Sequence, residues 1–201
     1  ALYHRQLSSA AMFDWAVSVG GTGNDLGYGI SALADGSSVV ARSFSGTASF
    51  GSIILTSAYG QSDIFVAKVT PSGAWEWALS AGGTDSDFGN GISALADGSS
   101  VITGFFQSFF GTASFGSIIF TSAGGFDIFV AKVTPSGAWE WALSAGGTLD
   151  DRGWGISALA DGSSVVTGNF QSDTASFGSI TLTSAGSFDI FVAKVTPSGA
   201  W

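Results

Sequence analysis

The side chains best placed to do chemistry are acidic, and they recur. Each of three Gly-Gly steps is followed within a few residues by a pair of carboxylate or carboxamide groups: Asn24 and Asp25, then Asp85 and Asp87, then Asp150 and Asp151. The middle loop, Asp85-Ser86-Asp87-Phe88-Gly89-Asn90-Gly91, offers Asp85, Asp87 and Asn90 as oxygen ligands from a glycine-rich turn. Hard oxygen donors of that kind suit Ca²⁺. The other two loops lack the spacing, and an Asx-turn ahead of a strand accounts equally well for Asp25, Asp87 and Asp151. The expectation is therefore no cofactor, with Ca²⁺ the one ion the residues suggest.

Catalytic chemistry finds few residues. The sole histidine, His4, lies outside the repeated part of the chain, and there is no cysteine. A histidine metal cluster, a Ser-His-Asp triad and a cysteine nucleophile are thus excluded from the repeats. The glycines match neither a phosphate-binding loop nor a dinucleotide fingerprint. Most acids recur in register: Asp63, Asp127 and Asp189 open strands, Asp35, Asp97 and Asp161 make Asp-Gly turns, and Asp14, Glu76 and Glu140 are spaced to meet lysines. No carboxylate pair is singled out for glycoside hydrolysis, and the protein is expected not to be an enzyme.

The elements that would position these groups repeat. Asp-Ile-Phe-Val-Ala-Lys-Val-Thr-Pro-Ser-Gly-Ala-Trp begins at Asp63, Asp127 and Asp189, spacings of 64 and 62 residues. Trp15, Trp77 and Trp141 align in a further block. Residues 1–12 form a non-repetitive head, and 13–201 divide into copies at about 21–82, 83–146 and 147–201, preceded by a strand over 13–20. Apolar residues alternate over short runs bounded by Gly, Pro, Asp and Ser, and no stretch keeps a helical period, so the fold class is all-β with antiparallel sheets and no significant helix. In the first copy Gly29–Ala34 and Ser38–Phe44 make one strand pair, Asp63–Thr70 and Ala74–Ala81 a second, and Thr47–Ser57 a peripheral hairpin. The Thr70-Pro71-Ser72-Gly73 connector fits a type I turn closed by a glycine bulge. Lys68 then faces Glu76, and Lys132 faces Glu140.

At 201 residues, 45% of them hydrophobic and 13% aromatic, the chain can bury a substantial core. Fifteen acids against six bases, net −9, argue against nucleic acid as a partner. No apolar run approaches the roughly 18 residues of a spanning helix, and the opening residues lack the apolar region of a signal peptide.

The elements Ala-Asp-Gly-Ser-Ser-Val-Val-Thr-Gly (160–168), Phe-Asp-Ile-Phe-Val-Ala-Lys-Val-Thr-Pro-Ser-Gly (126–137) and Trp-Ala-Leu-Ser-Ala-Gly-Gly (141–147) resemble bacterial β-propeller repeats of the SBBP type. The resemblance implies tandem propeller-like blades and a secreted or cell-surface location, without implying one activity. Three blades fall short of the usual four to eight of a closed ring, so the ring is expected to be incomplete and finished by strand exchange or oligomerisation. The strand over 13–20, with Phe13, Asp14, Trp15 and Val17, is left without a partner, and the edge carrying Phe191, Lys194 and Val195 lacks a strand. Asp14 is the expected partner of Lys194. Trp15, Trp77 and Trp141, with Phe65, Phe129 and Phe191, are read as packing between blades. Phe105, Phe106, Phe109 and Phe110 cluster in one copy only and are read as an apolar partner surface. Tyr28, Asn90 and Trp154 share one repeat position and vary in type. The expected function is a structural, self-associating extracellular protein whose partner is itself. The alternative is a carbohydrate-binding module with glycan partners, in which such a variable residue stacks on a sugar.

Overall fold

The computed structural model describes residues 14–109 and 112–201, so the expectations placed on His4, Phe13 and Phe110 lie outside the described residues. The strands are β1 (Gly20–Gly21), β2 (Asp25–Ala32), β3 (Ser38–Ser45), β4 (Thr47–Phe50), β5 (Ile53–Thr56), β6 (Ser62–Val69) and β7 (Trp75–Ala81). They continue with β8 (Phe88–Ala94), β9 (Ser100–Phe106), β10 (Ala113–Phe115), β11 (Ile118–Phe120), β12 (Asp127–Val133) and β13 (Trp139–Ala145). The last are β14 (Asp151–Ala158), β15 (Ser164–Phe170), β16 (Thr174–Phe177), β17 (Ile180–Thr183) and β18 (Asp189–Val195). A single 3₁₀ turn at Ala58–Gly60 is the only helical element among the described residues.

The fold is all-β. Sheet I has the order β2-β3-β6-β7, sheet II the order β8-β9-β12-β13, and sheet III the order β14-β15-β18, all antiparallel. Each carries a small outer hairpin: β4-β5, β10-β11 and β16-β17. The strands β2, β8 and β14 lie side by side, tied by Ala94 N–H to Ser31 Oγ (3.0 Å) and Ala158 N–H to Ser93 Oγ (3.1 Å). Among the described residues no sheet closes into a barrel.

The connectors obey local rules. In the turn at 70–74, Gly73 N–H donates to Thr70 O and Thr70 N–H to Ala74 O, with Gly73 at φ +82, a conformation that glycine adopts without strain. Beyond it the ladder passes from Lys68↔Trp77 to Val69↔Trp75, leaving Glu76 as the extra residue of a β-bulge. Lys68 Nζ reaches Glu76 at 3.2 Å and also Asp35, in the Asp-Gly turn, at 3.3 Å. Lys132 does the same with Glu140 and Asp97.

Asp35 accepts hydrogen bonds from the Ser37 hydroxyl and N–H. These bonds, with help from Lys68, hold it at about 2. Asp161 sits at about 2 for the same reason with Ser163 and Lys194, and Asp97 is lowered by Ser99 and Lys132. A depressed carboxyl stabilises the fold above its unfolded pKa, about 3.9, and that contribution is lost as the pH falls toward 2. Thermal midpoints should therefore drop between about pH 4 and pH 2. The drop should shrink when Asp35, Asp97 and Asp161 are all changed to Asn; an unchanged slope would refute the assignment.

The core is built from repeated aromatic trios. Phe65, Phe129 and Phe191 each pack on the phenylalanine of their own outer hairpin, Phe50, Phe115 and Phe177, at centroid distances of 5.2, 4.9 and 5.0 Å. Trp75, Trp139 and Trp201 meet those hairpin rings edge-on at 5.3, 5.2 and 5.1 Å. The phenylalanines thus fill the space between each sheet and its own hairpin. Two of the four residues expected on a partner surface belong to the interior instead: Phe106 packs on Phe120, and Phe105 is enclosed by Phe88, Phe126 and Trp154. The cause is that β9 is a central strand with both faces covered, so alternation along it never reaches solvent. Phe109 is exposed.

Candidate functional site

The feature that repeats most faithfully is the junction between adjacent sheets. Trp77, on the last strand of sheet I, donates its Nε1 hydrogen to Pro135 O in the turn of sheet II at 3.0 Å; Trp141 does so to Pro197 O at 3.2 Å. Each indole lies against the glycine of that turn, Gly137 or Gly199. Backbone bonds from Asp87 N–H to Ser62 O and from Asp151 N–H to Phe126 O (both 2.7 Å) tie the start of one sheet to the preceding one. On the apolar side Ile64 and Val66 of sheet I are 0% exposed, as are Ile128 and Val130 of sheet II.

Both halves of that junction lie open at the ends of the array. Residues 14–19 were expected as a strand, yet they join no ladder; only Gly20–Gly21 pairs, with β4. Among the described residues no strand lies beside 14–19 to complete a ladder. They nevertheless sit where β7 and β13 sit relative to the next sheet: Trp15 Nε1 donates to Pro71 O at 2.9 Å and its ring lies against Gly73. Beneath Trp15, Val17 and Val19 an apolar cavity of about 300 Å³ opens onto sheet I, reaching Leu26 and Ile30. At the far end β18 has a neighbour on one side only. Its Ile190 and Val192 are 82% and 69% exposed, although they match Ile64 and Val66 in sequence register.

The residues expected on this edge are corrected in phase. Phe191 and Val195 are buried in sheet III and meet the edge only through their backbone, because alternation sends their side chains toward the core. Ile190 and Val192 carry the exposed apolar surface. Lys194 is exposed and pairs with Asp161 at 3.2 Å. Asp14, Trp15 and Val17 are exposed at the opposite end.

Of the expected Ca²⁺ ligands, Asp85 accepts from Thr84 Oγ1 at 3.3 Å, and Asn90 and Asp87 engage other partners. Asn90 is buried, with Oδ1 accepting from Arg42 Nη1 and Nδ2 donating to Gly153 O at 2.7 Å. Asp87 is fully buried and receives Gly83 N–H on Oδ2 (2.8 Å) and Gln107 N–H on Oδ1 (3.1 Å). A guanidinium on Asn90 repels any cation, and Asp87 is turned toward the Gly-Gly step. The carboxylate is a cross-loop clasp that anchors Gly83 and Gln107 together, a wider role than an Asx-turn.

Where the copies differ, the structure brings the differences together. Tyr28, Asn90 and Trp154 are the extra residues of equivalent β-bulges in β2, β8 and β14. Arg42, standing where the other copies have Gly104 and Gly168, stacks over the Tyr28 ring at 4.0 Å, and burial lowers its pKa. Arg152 lies 5.5 Å from the Phe105 ring and 5.2 Å from Phe126 while pairing with Asp150 at 2.6 Å. Trp154 donates to Asn169 Oδ1 at 2.7 Å. Tyr28 and Trp154 keep exposed ring surface.

Among the described residues no helix is long and apolar enough to cross a membrane. Scanned against protein-family models and against curated proteins, the sequence finds no match.

Proposed function

We propose that this chain is a non-enzymatic structural protein of the secreted or cell-surface kind, in which propeller-like blades stack head to tail and copies join through complementary ends. The observation that carries the reading is the contrast at one repeat position. Ile64 and Ile128 are 0% exposed because a following sheet covers them, while Ile190 is 82% exposed. The surface that would cover it, the sheet I face with Leu26 and Ile30, is exposed at the other end of the same molecule. An interface used twice within the chain thus presents one half at each end of the described array, and the two halves are complementary, which suits a second copy. Residues 14–19 of that copy supply the fourth strand of sheet III. By the pairing of β12 with β13, Val19 falls opposite Ile190, Val17 opposite Val192 and Trp15 opposite Lys194, with Asp14 reaching Lys194. Such a contact is heterologous, giving a ring if the rotation closes and a filament if it does not.

Light scattering with negative-stain imaging over a concentration series tests this. Association should be abolished by Ala16→Pro together with Val17→Pro. Proline cannot donate to a ladder, and since one of two successive N–H groups must face the partner strand, the pair covers both phases. These residues form no ladder within the chain, so the variant should stay folded. A parent chain that remains monomeric at high concentration would sink the proposal.

A second reading, carbohydrate binding, draws on Tyr28 and Trp154, whose exposed rings suit stacking on a sugar. Glycan-array binding lost in Trp154→Ala with association intact would favour it.

A further inference from the structure

Two carboxylates meet at each sheet junction, one from either side, with a glycine between them. A Cβ added to Gly82 would come within 2.5 Å of Asp63 Oδ1 and 2.7 Å of Asp87 Oδ2. At the next junction a Cβ on Gly146 would collide with Asp127 Oδ1 and lie 3.0 Å from Asp151 Oδ2. Glycine leaves that space to the oxygens. Asp63 and Asp127 are only 5% and 3% exposed, and in each the Oδ1 atom is buried with no hydrogen-bond partner. Their Oδ2 atoms are satisfied, by Ala58 N–H and Ala123 N–H. Among the described residues no lysine or arginine forms an ion pair with any of these four acids.

A cavity of about 320 Å³ is lined by Asp63 and one of about 240 Å³ by Asp127, walled at matching positions by Ser80, Gly82 and Ser114 and by Ser144, Gly146 and Ser176. The walls offer carboxylate, carbonyl and hydroxyl oxygen, no nitrogen ring and no sulfur. Calcium takes six to eight such oxygens in adaptable geometry and completes its shell with water, whereas Mg²⁺ demands a near-ideal octahedron. Burial holds Asp63 up at about 6, Asp127 at about 7 and Asp87 at about 8. At the open end the equivalent Asp189 accepts from the Ala185 N–H and the Ser184 hydroxyl on Oδ2.

We propose that each junction holds a hard divalent cation of the calcium class between its two carboxylates, Asp63 with Asp87 and Asp127 with Asp151. Docking of a second copy builds a third such site from Asp189 and the Asp25 of that copy. The third site rests on the head-to-tail reading; the first two do not. Asp25 already matches its counterparts in accepting Gly21 N–H on Oδ2 (2.8 Å), while its Oδ1 is buried without a partner.

The two intrachain sites are tested on the Ile190→Asp chain, which is designed not to associate. Calorimetric titration with CaCl₂ should show two sites per chain, and the thermal midpoint should rise in CaCl₂ and return in EDTA. Asp63→Asn with Asp127→Asn should abolish both effects. If no Ca²⁺ binds and the Asn variant is more stable with or without it, the carboxyls share a proton and the proposal is overturned. On the parent chain, Ca²⁺ should strengthen association at least about tenfold, and Asp189→Asn should remove that enhancement while leaving the two intrachain sites. Association that ignores Ca²⁺ overturns the third site alone; absence of association in any condition overturns the head-to-tail reading alone.

Discussion

The Ile190→Asp chain should run as a folded monomer at concentrations where the parent chain associates. Ile190 is 82% exposed, and an exposed substitution away from caps and networks typically shifts stability by no more than about 0.5 kcal/mol. In the proposed assembly the same side chain is enclosed as Ile64 and Ile128 are, so an aspartate there must be desolvated without a partner, which costs several kcal/mol. The equivalent change at Ile128 should behave in the opposite way. Ile128 is 0% exposed and belongs to the core shared by sheets II and III, so Ile128→Asp should unfold the chain in every oligomeric state. Circular dichroism alongside light scattering separates the cases. If Ile190→Asp leaves association intact, the face of sheet III is not the interface.

Phe129→Ala should destabilise the fold by about 3–5 kcal/mol, the range for removing a fully buried aromatic from a core that collapses only in part. The ring is 0% exposed, stands 4.9 Å from Phe115 and packs over Gly104. A cost of that size is a large share of the roughly 5–15 kcal/mol that holds a typical domain together. Urea denaturation should show the midpoint shift; a loss below about 1 kcal/mol would mean that hairpin and sheet can close the gap, contrary to dense packing.

Much of the architecture was legible because its rules are local. Thr70-Pro71-Ser72-Gly73 and Asp35-Gly36 dictate turns from their own residues, and the hairpins and lysine pairings follow from them. The facing of β18 was not legible for a physical reason. Asp-Ile-Phe-Val-Ala-Lys-Val is apolar at both phases, since β6 and β12 bury both faces, and only the position of the neighbouring sheet decides that Ile190 looks outward while Phe191 does not. Phe105 and Phe106 misled for the same reason: adjacent large apolar residues suggest a surface patch on an edge strand and a filled interior on a central one. The acid pairs were hidden by repetition itself. Asp63 and Asp87 stand in every copy as strand-opening residues, and nothing within one copy says that the first of one sheet meets the second of the next. Trp75, Trp139 and Trp201 close the repeated block in all three copies, but nothing local says that they meet the phenylalanines of the outer hairpins edge-on.

The Gly-Gly steps at Gly82–Gly83 and Gly146–Gly147 pass the chain from one sheet to the next through the same bonds, Gly82 with Ser114 and Gly146 with Ser176. Recombination between the two steps would delete or duplicate a whole unit and preserve the glycine–serine bridge and the tryptophan–turn contact at the boundary that remains, while the contact of Arg42 with Asn90 would change partner. Array length is therefore a quantity that unequal crossing-over can alter one sheet at a time.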